Sequence, residues 1–160
     1  MRRGNPGRRR LGDRIRTGSA RSACCIRRSH GFHTASRRDG HADGPGRRHD
    51  LAITRKVARD VAVQYGAVVV LKGSDTVIAA PDGTTLHYGG GGTGLATGGS
   101  GDVLAGAIGG LLSRGASPTI AAGWGVWLHG QSGRRVATTS GPIGFLAREV
   151  PAEFPRLLPQ

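Results

Sequence analysis

The stretch Ala67-Val68-Val69-Val70-Leu71 most constrains what this chain can fold into. Its apolar side chains run on without alternation, the pattern of a strand covered on both faces. Such a strand needs helices above and below it, so the expected fold class is α/β, with the strand in a parallel sheet between helix layers. Suitable helices flank it. Leu51, Val57, Ala58 and Val61 share a helical stripe, Arg55, Lys56, Arg59 and Asp60 supply a wet side, and Gly66 is placed to end the helix. Further on, Leu104, Ala107, Ile108, Leu111 and Leu112 recur at i, i+3, i+4, i+7 and i+8 before Gly115. Gly106, Gly109 and Gly110 each cost that helix roughly 1 kcal/mol relative to alanine, so close packing against neighbouring backbone is the expected compensation. Ser117-Pro118 opens another helix, predicted over 118–137, with Ile120, Trp124, Trp127, Leu128 and Gln131 on one face and the tryptophans packed inside. Residues 77–80 and 85–88 flank Pro81-Asp82-Gly83-Thr84 and predict a β-hairpin. After Gly141-Pro142 a turn and one short helix are expected. Pro151 and Pro155 limit regular structure there, and Phe154, Leu157 and Leu158 are expected to dock back on the sheet.

Two segments carry candidate chemistry. The buried strand delivers Lys72-Gly73-Ser74-Asp75-Thr76 at its carboxyl end, the edge where open α/β sheets take ligands. Lys72 reads either as a phosphate-facing cation or as a solvated strand terminus. The second segment is Thr97-Gly98-Gly99-Ser100-Gly101-Asp102, small residues running into the Leu104 helix. Small residues let the backbone approach a ligand, and first-turn amides without intrahelical acceptors, aided by the helix dipole, form an anion site. Asp102 is either a first-turn carboxylate or a base beside that site. The preceding Gly89 to Gly94 stretch is either a plain linker or a second close-approach segment, and His129 is either a satisfied structural histidine or a ligand contact.

Charge divides the chain. Residues 1–50 carry fourteen Arg against four Asp, whereas residues 51–160 carry nine Lys or Arg against six acids. The first segment shows no apolar period and is expected to be a basic, unpatterned piece, either disordered or the product of out-of-frame translation of a GC-rich region. The second is expected to be the folded unit. An Arg-rich arm could bind nucleic acid, but Phe32 is its only aromatic and base stacking is hardly available. No run approaches the roughly 18 apolar residues of a membrane helix, and residues 1–22 lack the apolar core of a secretory signal. Adjacent Cys24 and Cys25 are expected as free thiols, no metal-ligand set is apparent, and the cytoplasm is the default compartment.

Lys72 to Thr76 after a buried strand, the run from Gly94 to Gly106, Trp127-Leu128-His129-Gly130 and Gly144-Phe145-Leu146-Ala147 together resemble the carboxyl-terminal half of the ADP-dependent NAD(P)H-hydrate dehydratases, of the ribokinase-like superfamily. The resemblance covers roughly residues 51–160 and implies a partial ribokinase-like three-layer fold with a parallel sheet strand, a β-hairpin and packed helices. It implies a lyase of metabolite repair. Hydrated NADH or NADPH is the substrate, ADP (or ATP) with Mg2+ phosphorylates the added hydroxyl, and phosphate is then eliminated. Asp102 matches the family acid at the reacting hydroxyl, Gly99, Ser100 and Gly101 match its anion hole, and Lys72, Gly73, Ser74, Asp75 and Thr76 match the nucleotide-contacting segment. Thr97 and Gly98 belong to the same nucleotide-binding turn. Two departures stand out. Family members carry further strands and a histidine-containing loop before this segment, a role that His30, His33, His41 and His49 do not match. The family's asparagine-proline pair before the loop is replaced by Gly92-Thr93. Three other outcomes stay open: a ribokinase-like small-molecule kinase, a basic nucleic-acid-binding protein, and an inactive fragment. A homo-oligomer is compatible with each.

Overall fold

The computed structural model describes residues 24–28 and 45–158. Four strands, β1 (Cys24–Arg28), β2 (Val68–Lys72), β3 (Asp75–Ala79) and β4 (Thr85–Gly89), form one sheet in the order β1-β2-β3-β4. Three helices cover it: α1 (Pro45–Tyr65), α2 (Ser100–Ser113) and α3 (Pro118–Ser140). Successive side chains of a strand point to opposite faces, and β2 uses both. Val68 and Val70 pack with Ile78, Leu104, Ile108, Ala121, Ala122 and Val126, in the layer of α2 and α3. Val69 and Leu71 pack with Val77, Ala79, Ala58 and Ala62, in the layer of α1. The result is the three-layer α/β arrangement expected from an unalternating run.

Several expectations change in detail. β2 is parallel only to β1, with Cys24 opposite Val68, and antiparallel to β3, because the two-residue Gly73-Ser74 turn returns the chain directly. The hairpin is as expected, with Val77 opposite His87. Two elements reach into the segment expected to lack patterning: β1, and the start of α1 at Pro45. Main-chain pairing on the open side of β2 requires no alternation in its partner, so β1 leaves little trace in the sequence. The Arg runs at 8–10 and 37–38, Phe32, His30, His33 and His41 lie outside the described residues. On α1, Val57 is exposed and Ala62 joins Ala58 on the buried side; two small residues one turn apart bring the helix close to the sheet and turn Val57 away.

The two remaining helices correct two expectations. Among the described residues nothing lies within 4 Å of a Cβ built on Gly106, Gly109 or Gly110, so these glycines are not compensated by close packing. Close packing falls instead on α3. A Cβ on Gly125 would sit 2.4 Å from Ile108 of α2, which makes glycine the residue that lets α2 and α3 approach. Ile120 and Trp124 are exposed, while the buried side of α3 carries Ala121, Ala122, Gly125, Val126, Leu128, His129, Gly130, Ser132, Gly133 and Val136. A close helix interface admits these small side chains and excludes indoles, so Trp124 and Trp127 meet edge to face at 5.4 Å beside Leu86 of β4. The tail forms a 3-10 segment, Ala147–Arg156, that includes both prolines. Its Val150 and Phe154 pack with Leu95, Val136 and Phe145 on the α3 side, not on the sheet. Among the described residues no helix is long and apolar enough to cross a membrane.

Candidate functional site

The amino terminus of α2 is the candidate anion cradle. Gly99 occupies the cap position with φ 81° and ψ −13°, a left-handed conformation that side-chain-bearing residues rarely take. This bend sends the chain from the short 3-10 turn Thr93–Ala96 straight into the helix. The Ser100 amide donates to the Thr97 carbonyl at 3.4 Å, and the Asp102 and Val103 amides donate to the Gly99 carbonyl at 3.0 and 3.1 Å. The amides of Gly98, Gly99 and Gly101 have no acceptor among the described residues, and Gly101 is buried. Buried amides are nearly always paired, so a turn that leaves three donors at the positive end of a helix is suited to phosphate oxygens.

Asp102 stands in the first turn of α2, exposed, and its carboxylate makes no hydrogen bond or ion pair with a described residue. A carboxylate capping its own helix would hold an amide. Asp102 holds none, which leaves its oxygens available to a hydroxyl brought to the cradle.

Lys72 ends β2, half-buried, and its Nζ donates to the Leu95 carbonyl at 3.1 Å. That bond ties the carboxyl end of the strand to the turn two residues ahead of Thr97. Gly73 and Ser74 form the exposed turn, and the Thr76 hydroxyl donates to the Gly73 carbonyl at 3.3 Å while the Gly73 amide approaches it at 3.4 Å. The Asp75 carboxylate lies 2.9 Å from His87 Nε2 across the hairpin. The fold therefore brings Lys72 to the glycine turn through Leu95, whereas Asp75 is engaged along β4. The stretch from Gly89 to Gly94 is more than a linker. A Cβ on Gly94 would lie 2.2 Å from the Phe145 ring and 2.8 Å from the Pro142 carbonyl, so this turn is pressed against the protein's own tail.

Helix α3 is the floor of the site. Leu95 drops against Gly133, where a Cβ would lie 2.6 Å from it, and Tyr88 covers Gly130 in the same way at 2.4 Å. His129, 3% exposed, places Nε2 3.1 Å from the Ser100 hydroxyl and 2.9 Å from the Ser100 carbonyl. Burial, and then the Lys72 ammonium, push its pKa down to about 4, so the imidazole is neutral at physiological pH. The sockets at Gly130 and Gly133 were missed in the sequence, although small residues recurring on one side of α3 were the available signal. The Leu95 carbonyl had no side-chain signal at all.

A carboxylate and amides without partners among the described residues, on a helix held from below, could together serve the transfer of an anionic group to a hydroxyl. Comparison with known proteins gives that arrangement a lineage. Residues 50–156 match the family model described as NAD(P)H-hydrate dehydratase. The chain belongs to this family. An ADP-dependent (S)-NAD(P)H-hydrate dehydratase of Xanthomonas campestris is 42% identical over 113 residues, covering 68% of this chain and 39% of that one. The Neisseria meningitidis protein of the same description is 44% identical over 93 residues, 58% of this chain and 31% of that one. Among solved structures, the Bacillus subtilis ADP/ATP-dependent NAD(P)H-hydrate dehydratase, co-crystallised with ATP/Mg2+, superimposes with a TM-score of 0.63 at 36% identity, covering 67% of this chain and 39% of that one. The chain thus spans about two fifths or less of the length of these relatives. The family region runs from α1 to the tail and contains every candidate site residue.

Proposed function

We propose that this chain carries the nucleotide-handling part of an NAD(P)H-hydrate dehydratase and acts, with ADP or ATP, on hydrated NADH or NADPH. The observation that carries the reading is the Asp102 carboxylate beside three amides at the amino terminus of α2, all without partners among the described residues. Gly98, Gly99 and Gly101 hold the phosphate to be transferred through their amides, and Lys72 fixes the turn from the strand side through Leu95. Asp102 accepts the proton of the ring hydroxyl as its oxygen bonds to phosphorus and the bond to the departing nucleotide breaks. Phosphate then leaves with the electron pair of the carbon–oxygen bond, a proton departs to solvent from the neighbouring ring carbon as the ring double bond re-forms, and the reduced nicotinamide is returned.

The donor set suits a nucleotide's phosphates, being neutral amides at a helix amino terminus with one lysine nearby. Magnesium supplies charge neutralisation on the phosphate oxygens when bound. Among the described residues no three His, Cys, Asp or Glu side chains converge. Residues 51–160 form the catalytic piece in this reading.

Product analysis tests the proposal. Hydrated NADH with Mg·ADP and the full chain should yield NADH, followed at its absorbance, with one phosphate released per NADH. A stable phosphoester with no NADH would identify a small-molecule kinase instead. No product of either kind would mean that this chain lacks the activity of its relatives.

A further inference from the structure

We propose that His129 is a positioning residue of the cradle: its Nε2–H, delivered by the floor helix α3, holds Ser100 and thereby the amides of Gly99 and Gly101. The inference rests on the functional reading above and adds a residue to it. The short contact between the Ser100 hydroxyl and His129 Nε2, 3.1 Å, invites reading the pair as a nucleophile and its base. Two observations decide otherwise. Ser100 is 1% exposed, so its oxygen is closed to a substrate. Nε2 also lies 2.9 Å from the Ser100 carbonyl, and a carbonyl only accepts. Nε2 therefore carries the proton and donates it to the carbonyl, with the hydroxyl oxygen as a second acceptor. A nitrogen committed as a donor cannot serve as a base, but it can anchor.

The anchor is rigid because α3 is fixed nearby on several sides. Gly130 receives the Tyr88 ring, Gly133 receives Leu95, and Gln131 donates to the Tyr88 hydroxyl at 3.3 Å. One turn of α3 thus positions both arms of the site, the 93–96 arm through Leu95 and the 99–101 arm through His129. The Lys72 ammonium, on β2, is the charged group that acts on this imidazole, and Ser100, on α2, is its polar partner. A positive neighbour and deep burial both favour the neutral ring, whose Nε2–H tautomer is the one the carbonyl requires.

The test uses the full chain without ligand, then with Mg·ADP, in His129→Leu and His129→Gln. Leucine keeps the apolar bulk and removes the donor, whereas the glutamine amide can reach the Nε2 position. Amide hydrogen exchange at Ser100, Asp102 and Val103, the paired amides of the turn, should accelerate at least tenfold in His129→Leu and return to within threefold of wild type in His129→Gln. Mg·ADP affinity, by calorimetry, should follow the same order. Unchanged exchange in His129→Leu would overturn the proposal whether or not ADP binds. Accelerated exchange in a protein whose wild type binds no Mg·ADP would uphold the anchor and refute the nucleotide reading. Should His129→Leu fail to fold, nitrogen NMR of the wild-type ring decides: a protonated Nε2 at neutral pH supports the anchor, and a bare Nε2 overturns it.

Discussion

Asp102 and His129 lie on different helices and have opposite surroundings, one carboxylate exposed and without a partner among the described residues, one imidazole buried against Ser100. Their replacements should fail differently. Asp102→Asn keeps the shape and removes the base, so turnover should fall by about 10²- to 10⁴-fold, the usual worth of a general base. Mg·ADP affinity should stay within about threefold, because the amides that hold phosphate are untouched. Single-turnover kinetics and calorimetry separate the two, and unchanged turnover would remove Asp102 from the mechanism. His129 links stability to pH. Its unfolded imidazole takes a proton near pH 6.5, whereas in the fold burial and Lys72 hold that step down to about 4. The unfolded chain therefore binds the proton first, so stability fully present above pH 6.5 is lost as pH falls towards 4. Between pH 7 and 5 the loss should be about 2 kcal/mol in wild type, read by denaturant titration, and should be absent from His129→Leu.

Among the elements, α2 and α3 carry glycines of opposite kinds. Gly109 faces open space, so Gly109→Ala should raise stability by about 1 kcal/mol through helix propensity alone. Gly133 is a socket for Leu95, and Gly133→Ala should lower stability by about 1–3 kcal/mol, the range for overpacking a core. It should also weaken Mg·ADP binding, since Leu95 carries the carbonyl that Lys72 holds. Equal shifts in the two melting temperatures would contradict the distinction. The contrast also shows how far the sequence can be read. Val68 to Leu71 announce a doubly covered strand because burial on both faces leaves its mark on every residue. The periodicity of α2 and the hairpin at Pro81 to Thr84 are legible for the same reason: each depends on local side chains. Which glycine serves packing and which merely lies in a helix depends on what arrives from elsewhere in the chain, so Gly106, Gly109 and Gly110 gave the wrong expectation and Gly133 none. The tryptophans mislead similarly, because their bulk suggests a core that Ala121, Ala122 and Gly125 occupy instead.

At the scale of the molecule, the sequence points to a candidate site where side chains or glycine spacing mark it, as at Asp102, Lys72 and the turn from Thr97 to Gly101. It was not legible where the main chain does the work, as in the Leu95 carbonyl that joins two of those segments. β1 follows the same rule, since pairing along β2 recruits backbone irrespective of pattern. The chain carries the family region at residues 50–156 and spans 39% of its Xanthomonas campestris relative. The proposed function requires that the cradle between β2, α2 and α3 bind ADP in this chain. Thermal unfolding of the full chain with and without Mg·ADP tests that claim most directly, because a ligand bound only by the folded state stabilises it by mass action, about 2.7 kcal/mol at one hundred times its dissociation constant. One cooperative transition is expected, moving up by several degrees as Mg·ADP is added, with a smaller shift in His129→Leu. A cooperative transition that stays in place at millimolar Mg·ADP, or the lack of any cooperative transition, would contradict the proposed function.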